Sequence, residues 1–539
     1  MKIIYKSFFF YISALLLVSC SDVLDEKPLS FLSPENAYEN KDAFENGLIA
    51  LHKFARDEVD NSLKNGLNMN WEMVLGTDQA HIGEKYNAGP ERFWDYSVIT
   101  SFYSGSQSYW DWGYKKMISN ANTIINRVDN PNIQWTEVER NAVKAEALFF
   151  RAYAYNVLVN LFGGVPIVIE EVAAPKLDFV RASRLEVLQQ EQSDLEFAIE
   201  WLPTDEKVDG RITKGAANHL LSEVYISIGL ESNDESFYQK AIEAASRVID
   251  SPKYRLMTER FGQKKDQPGN VLSDLFWDYN INRSAGNEET IWALQFEYNT
   301  PGGKESNPTN WMRAWGCRYW DLKDPDGKSG MQICDSIGRP VGWIRPTNSV
   351  FYDVWGEDWN DMRNSSYNIR RDWYWNNPES TYFGQKVEIT ADMDTVWIIA
   401  PMLRKLEGDF ASTGNNPFKD DPVMRLAETY LLRAEAYMWK GDLVNAAKDI
   451  NVVRGRAHAK PIEPSLVNID YILDERTREL VVEEPRRRTL VRVGKMYERT
   501  IKYNPLSGQT IKPFNELWPI PQSAIDANLE AELVQNPGY

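Results

Sequence analysis

The chain is poor in the residues that most often build metal and acid–base sites. Its 539 residues include only four histidines and three cysteines. Four histidines are too few for a histidine-rich metalloenzyme, and Cys20, Cys317 and Cys334 lack the spacing of a metal knuckle. No run of eighteen apolar residues follows residue 20, which excludes a multispan membrane protein.

Positive charge is also scarce. The chain has 60 Lys and Arg against 78 Asp and Glu, a formal net charge of −18. Such a surface repels phosphate backbones, so the balance argues against a nucleic-acid partner. Apolar residues make up 43% and charged residues 26%, as in ordinary globular proteins, which excludes a largely disordered chain.

Large aromatic side chains are what the sequence has in excess. It contains 19 Trp, 26 Tyr and 22 Phe, and eleven of the tryptophans fall between Trp277 and Trp397. Gly, Pro, Asn and Asp are frequent over about residues 255–420, where helical periodicity fades. Within this stretch Glu289–Phe296 and Thr395–Ile399 have the composition of strands, so Trp292 and Trp397 are predicted to be core residues.

The N-terminus has the pattern of an export signal. Lys2 and Lys6 precede an apolar stretch from Phe8 to Val18, which ends in Leu-Val-Ser-Cys at Cys20. This spacing is typical of a bacterial lipobox and predicts a lipoprotein signal peptide over residues 1–19 with lipid attached to Cys20. Residues 20–33 are then a polar linker. In an exported protein Cys317 and Cys334 either form a disulfide or remain two thiols, and the sequence leaves both open.

Helical patterns dominate residues 34–254 and 421–539. Three segments combine a small residue, a tyrosine three positions later and a glycine turn, and in two of them alanines follow at helical spacing. Small residues let two helices approach closely while the aromatic ring fills the groove, as in tetratricopeptide helix pairs. The segments are RAYAYNVLVNLFGG, LLSEVYISIG with FYQKAIEAASRVI, and LLRAEAYMWKGDLVNAAKDI.

Several blocks, in order, make the chain resemble the SusD/RagB family of outer-membrane nutrient-binding lipoproteins from Bacteroidetes-type bacteria. They span nearly all of residues 20–539. The most specific are AEALFFRAYAYNVLVNLFGGVPIVIE from Ala145, GRITKGAANHLLSEVY from Gly210, RLAETYLLRAEAYMWKGDLVNAA from Arg425, ILDERTRELVVEEPRRRTLVRVGK from Ile472, and LWPIPQSAIDAN with QNPGY at the terminus.

The resemblance implies a mostly α, SusD-like single domain over residues 34–539. Its scaffold would be tetratricopeptide-like helix pairs, and the tryptophan-rich insert of about 255–420, partly β and partly loop, would carry the ligand face. It further implies a lipid-anchored protein at the outer membrane, facing the cell exterior, that captures oligosaccharides for a SusC-type TonB-dependent transporter. Peptide or glycopeptide capture on the same scaffold is the alternative. No enzymatic activity, cofactor or metal is expected.

Tryptophans suit a sugar ligand because the apolar C–H face of a pyranose packs on a ring that loses few rotamers on binding. A glycosidase would instead need two carboxylates at a defined separation. The acidic candidates are Asp78 near His81, Asp361 before Arg363, and Glu483-Glu484 before three arginines. With 78 acidic residues such pairs are easy to find, and the last is more simply a salt-bridged structural cluster. Trp110, Trp439 and Trp518 lie in scaffold blocks. The expected ligand-binding residues are Trp71, Asp78, Trp94, Asn310, Trp311, Arg313, Trp315, Trp320 and Trp343.

Overall fold

A computed structural model describes residues 38–60, 69–83, 94–172, 174–297, 300, 311–408 and 419–539. Cys20, the signal peptide 1–19, the linker 20–33 and Asn310 lie outside them. For Trp311 the structure describes the backbone alone. None of the helices in these ranges is both long enough and apolar enough to span a membrane.

The first part of the scaffold runs from Lys41 to Ile249. Its helices are α1 (Lys41–Asp60), α2 (Ser104–Asp111), α3 (Ser119–Arg127), α4 (Glu137–Phe162), α5 (Arg184–Trp201), α6 (Lys214–Ser232) and α7 (Ser236–Ile249). A π-helical stretch, Trp112–Ile118, joins α2 to α3. Capping boxes begin α4 and α5. The side chains of Thr136 and Ser183 each accept a hydrogen bond from the backbone N–H of a glutamate three residues later, and the side chain of that glutamate accepts one from the backbone N–H of Thr136 or Ser183.

In the part of the insert that the structure describes, all helices and strands are short. These are α8 (Val271–Leu275), β2 (Thr290–Leu294), α9 (Trp311–Trp315), β3 (Ile344–Pro346), α10 (Asn348–Phe351), β4 (Ile369–Arg370) and β5 (Met402–Leu403). Further single turns of 3-10 helix lie along the chain at Met69–Met73, Tyr96–Val98, Arg283–Ala285, Tyr319–Asp321, Asp353–Trp355, Met362–Asn364, Arg404–Leu406, Pro464–Leu466, Ser507–Gln509 and Pro513–Glu516.

The second part of the scaffold follows strand β6 (Asp421–Arg425). Its helices are α11 (Leu426–Trp439), α12 (Leu443–Arg456), α13 (Ile469–Leu480), α14 (Arg486–Arg492), α15 (Met496–Tyr503) and α16 (Gln522–Ala527). The pairs α4–α5, α6–α7 and α11–α12 pack as neighbours, and α7 packs against α11. The helix pairs predicted from the small-residue pattern are therefore confirmed, with the mostly α fold.

Among the described residues, two antiparallel strand pairs join the insert to other parts of the chain, and a third pair lies within it. β2 pairs with β6, which closes the two ends of the insert on each other. β1 (Ala80–Ile82), from the N-terminal loop, pairs with β3, and β4 pairs with β5. The predicted strand over 289–296 is confirmed as β2, and Trp292 is buried in the scaffold core.

The predicted strand at Thr395–Ile399 is wrong. The side chain of Asp394 accepts hydrogen bonds from the backbone N–H groups of Val396 and Trp397, and its carbonyl accepts from those of Ile398 and Ile399. Because these bonds close a turn, the β-branched residues there do not form a ladder. Trp397 is consequently half-buried rather than a core strand residue.

Among the described residues, the two largest clusters of buried side chains are a scaffold core and a separate insert core. Trp110, Trp518 and the α4 side chains belong to the first, while Trp439 is half-buried against it. The insert core takes in Trp71 from the N-terminal loop together with Trp315, Trp355, Trp373 and Trp375. Much of the tryptophan excess therefore fills the interior of an irregular region with few backbone ladders.

Candidate functional site

Three half-buried tryptophans gather on the insert with three arginines. The rings are those of Trp320, Trp343 and Trp397, which we call the tryptophan cluster with Arg313, Arg318 and Arg339. The guanidinium carbon of Arg318 lies 4.6 Å from the Trp320 ring centroid and 4.8 Å from that of Trp397. Arg318 is thus stacked against both rings.

The other two arginines extend this arrangement. Arg339 lies 4.8 Å from the Trp320 ring, and Arg313 lies 5.5 Å from that of Trp343. Arg318 also makes an ion pair of 3.3 Å with Asp321. Burial, with a smaller effect of the Arg339 charge, lowers the pKa of Arg313. A strongly acidic protein therefore presents a cationic and aromatic surface at this position.

The indole N–H groups of Trp320 and Trp397 are held by two consecutive carbonyl groups of the backbone. The indole N–H of Trp320 donates to the carbonyl of Pro340, and that of Trp397 donates to the carbonyl of Val341, each at 2.7 Å. Gly342 follows with φ of +69°, and a Cβ there would lie 2.8 Å from Cδ1 of Trp397. These bonds fix the ring orientations, so the rings are ordered before any ligand arrives.

The N-terminal loop supports the third ring from beneath. The Trp71 and Trp343 ring centroids lie 5.0 Å apart at a tilt of 45°. The backbone N–H of Gly83 donates to the carbonyl of Trp343, which continues the β1–β3 pairing. The N-terminal loop and the central insert therefore meet at the Trp343 end of the cluster.

Three of the expected ligand-binding residues are interior residues, and for these the structure corrects the sequence. Trp71 and Trp315 are 2% and 3% exposed and belong to the insert core. Asp78 is 1% exposed and binds Arg486 through both oxygens, at 2.9 and 2.7 Å, and Arg499 at 2.7 Å. Side chains buried in this way cannot offer a ring face or a carboxylate to a ligand at the surface.

The remaining expected residues divide further. Arg313, Trp320 and Trp343 come together in the tryptophan cluster, whereas Trp94 is half-buried and has no contact that links it to the cluster within the described residues. Sequence reasoning missed Trp397, Arg318 and Arg339. The alternation of Arg and Trp at Arg318, Trp320, Arg339 and Trp343 was the signal that could have found the two arginines.

The carboxylates considered for catalysis are committed to ion pairs. Arg363 binds Asp361 at 2.6 Å and Glu475 at 2.7 Å, all three buried. Glu483 binds Arg425, and Glu484 binds Arg476, both at 2.5 Å. The prediction that the glutamates before the arginine run form a structural cluster is confirmed. None of these carboxylates faces the tryptophan cluster as a paired acid and base.

Both cysteines of the insert are thiols. Cys317 is buried, and burial raises its pKa to about 11. Cys334 is half-buried beside the hydroxyl of Tyr319. Of the two alternatives that the sequence leaves open, the structure therefore shows the unbonded one.

Two family models match separate parts of the chain. The model described as "SusD family" matches residues 351–539, and that described as "Starch-binding associating with outer membrane" matches residues 46–226. SusD-like protein P25 of Formosa agariphila is 25% identical over 97% of this chain and 97% of its own length. The starch-binding protein SusD of Bacteroides thetaiotaomicron is 26% identical over 83% of this chain and 81% of its own length.

Solved structures share the fold. A laminarin-binding SusD-like protein superimposes with a TM-score of 0.70 at 24% identity, over 93% of this chain and all of the other. Surface glycan-binding protein A from Bacteroides thetaiotaomicron, in complex with laminarihexaose, does so with a TM-score of 0.69 at 19% identity, over 92% and 99%. The fold, the two family models and the relatives agree, and this chain is similar to SusD-family proteins over most of its length.

Proposed function

We propose that this protein is a cell-surface lipoprotein that binds oligosaccharides at the tryptophan cluster and delivers them to a TonB-dependent outer-membrane transporter. The observation that carries the binding role is the cluster itself, where half-exposed indoles are held by backbone hydrogen bonds and alternate with arginines. The names of the relatives, which bind starch, laminarin or laminarihexaose, support a glycan as the ligand.

The chemistry of the cluster fits a sugar in two ways. An indole whose N–H is already bonded presents an apolar face, onto which the C–H groups of a pyranose pack. Arg313 and Arg339 lie at the same face and supply several N–H donors for hydroxyl groups. Neither feature performs chemistry on the sugar, so the proposal is binding without catalysis.

The test of glycan binding is retardation in native gels that contain soluble starch, laminarin, xylan, mannan or galactan. The protein is the chain from Ser21 onward. We expect retardation in at least one gel, and its loss in the double variant Trp320→Ala, Trp397→Ala. Phe383→Ala is the matched control, because Phe383 is an exposed ring of the insert outside the cluster. Retardation by none of the glycans refutes the proposal.

Delivery and anchoring need the full chain in its own membrane. Lipid on Cys20 is expected to place the protein in the outer-membrane fraction, and Cys20→Ser is expected to release it into a soluble fraction. The lipidated protein should co-purify with a TonB-dependent transporter after gentle solubilisation. Co-purification with no transporter would leave glycan binding in place and refute delivery.

A further inference from the structure

A second aromatic surface lies on the same insert, away from the residues of the tryptophan cluster. Its rings are Tyr352 and Trp359, which are 42% and 53% exposed. The guanidinium carbon of Arg371 lies 5.0 Å from the Trp359 centroid and 6.0 Å from that of Tyr352. We call Tyr352, Trp359 and Arg371 the second platform.

The second platform resembles the tryptophan cluster in the way its rings are supported. In both, the guanidinium group of one arginine lies within 6.0 Å of the centroids of two aromatic rings of the insert. A stacked guanidinium fills the space behind a ring, so an exposed ring keeps its orientation in water. The repetition of this device at two exposed places points to the same kind of ligand.

Arg371 itself is fixed by hydrogen bonds. It donates to the carbonyl of Phe351 at 2.7 Å, to Oδ1 of Asn364 at 2.6 Å and to the carbonyl of Asn364 at 3.2 Å. The amide of Asn364 in turn donates to the carbonyl of Trp359 at 2.9 Å. The loop that carries Trp359 is thereby bound to the arginine against which its ring is stacked.

The polar groups of the second platform remain available to a ligand. Within the described residues neither the indole N–H of Trp359 nor the hydroxyl of Tyr352 has a hydrogen-bond partner in the protein. In contrast, the buried neighbour Trp355 donates its indole N–H to the carbonyl of Val350. An exposed ring with an unused donor, beside a phenol, matches the C–H face and hydroxyl groups of one sugar ring better than it matches an apolar partner.

The tryptophan cluster and the second platform are both close in sequence to one buried pair of stacked rings. Trp373, two residues after Arg371, stacks on Tyr319 at 5.3 Å with an interplanar angle of 21°. Tyr319 directly precedes Trp320 of the tryptophan cluster. Both surfaces are therefore joined through short stretches of chain to the same insert core, and two sites on one protein can engage one long chain at once.

We propose that Tyr352 and Trp359 form a second carbohydrate-binding subsite, which engages a further part of the polysaccharide bound at the tryptophan cluster. The ligand class rests on the proposed function, since the glycan is the same. Two linked sites hold a polymer about 100-fold more tightly than one site does, because the second binding event is intramolecular. A short oligosaccharide gains nothing from this effect.

The test compares Trp359→Ala, Trp359→Phe and the matched control Phe383→Ala, whose ring is 56% exposed in the same insert. Each variant of the chain from Ser21 onward is run in gels containing the polysaccharide that retards the wild type. Each is also titrated calorimetrically with a short oligosaccharide of that glycan. Thermal unfolding checks that the variants remain folded.

We expect Trp359→Ala to weaken retention by the polymer about 100-fold and to reduce the oligosaccharide stoichiometry from two to one. Trp359→Phe keeps a ring and should retain most of the binding, and Phe383→Ala should match the wild type. A stoichiometry of one in the wild type, or unchanged retention of Trp359→Ala, overturns the second subsite while the proposed function stands. Loss of all retention in the wild type refutes the proposed function instead.

Discussion

Replacing Asp78 by Asn separates a structural role from a ligand-binding one. The Asp78 carboxylate is bound by Arg486 and Arg499, both of which are buried. These two cations, acting against the opposing effect of burial, lower the pKa of Asp78 from 3.8 to about 2. A shift of this size corresponds to about 2 kcal/mol of stabilisation of the folded state, at 1.36 kcal/mol per pH unit.

We expect Asp78→Asn to lower the free energy of unfolding by somewhat more than this stabilisation of about 2 kcal/mol. Removing one partner of a buried pair costs about 3 to 5 kcal/mol, because the other charge stays buried. Arg486 retains Glu484 at 3.1 Å, and Arg499 retains Asp474 at 2.6 Å, which places Asp78→Asn at the lower end. We therefore expect the free energy of unfolding to fall by about 3 kcal/mol at pH 7.

The pH dependence has a defined sign. A carboxylate with a lowered pKa stabilises the folded state fully above its unfolded value of 3.8, and this contribution disappears as the pH falls to about 2. The difference between wild type and Asp78→Asn should accordingly be constant from pH 7 to pH 5 and shrink below pH 4.

Urea unfolding followed by tryptophan fluorescence measures the difference, with Asp178→Asn as control. Asp178 forms an exposed ion pair with Lys176, so its replacement should leave the free energy of unfolding nearly unchanged. Glycan retention of folded Asp78→Asn should equal that of the wild type. If this variant loses retention while its stability stays within about 0.5 kcal/mol, Asp78 contacts the ligand and the structural reasoning is wrong.

Three further predictions concern other parts of the chain. Burial raises the pKa of Glu72 well above 4.5, so the stabilising effect of this residue is complete below pH 4.5 and falls as the pH rises. Glu72→Gln should therefore raise the melting temperature more at pH 8 than at pH 4.5. An equal change in melting temperature at the two pH values contradicts this prediction. Gly342→Ala should weaken glycan retention, because the added Cβ displaces Trp397. Gly327 is the control: its φ is +77° and no atom lies within 4 Å of an added Cβ. Gly327→Ala should lower the free energy of unfolding by about 1–2 kcal/mol and leave glycan retention intact. A thiol reagent applied to the folded chain from Ser21 onward should label Cys334 alone, because Cys317 is buried with a raised pKa, and labelling of both thiols before unfolding would refute this.

The helical scaffold could be predicted because its signals are local. Phe44, Leu48 and Leu51 recur at helical spacing and are buried on one face of α1. Ala434 and Ala446 allow α11 and α12 to pack closely, and the turn between them uses Gly441 at φ of +82°. Each of these features depends on neighbours within a few residues, so the sequence expresses it directly.

The ligand face could be predicted only in outline. Trp315 and Trp320 lie five residues apart in similar sequence, yet Trp315 is core and Trp320 is half-buried, because α9 ends at Trp315 and a separate 3-10 turn carries Trp320. Asp78 looked like a binding residue because its partners, Arg486 and Arg499, lie more than 400 residues away. Local pattern contains no information about such a pairing.

The sequence by itself determined the helix pairs and the position of a tryptophan-rich insert, and it predicts the export signal and the likeness to SusD-family proteins, since all of these follow from contiguous motifs and short-range periodicity. Only the tertiary structure decided which tryptophans are buried and which arginines stack on the others. The physical reason is that an irregular region has no repeat from which to infer the direction of a side chain. The direction of each ring is set by contacts with Pro340, Val341 and Trp71, which come from elsewhere in the chain.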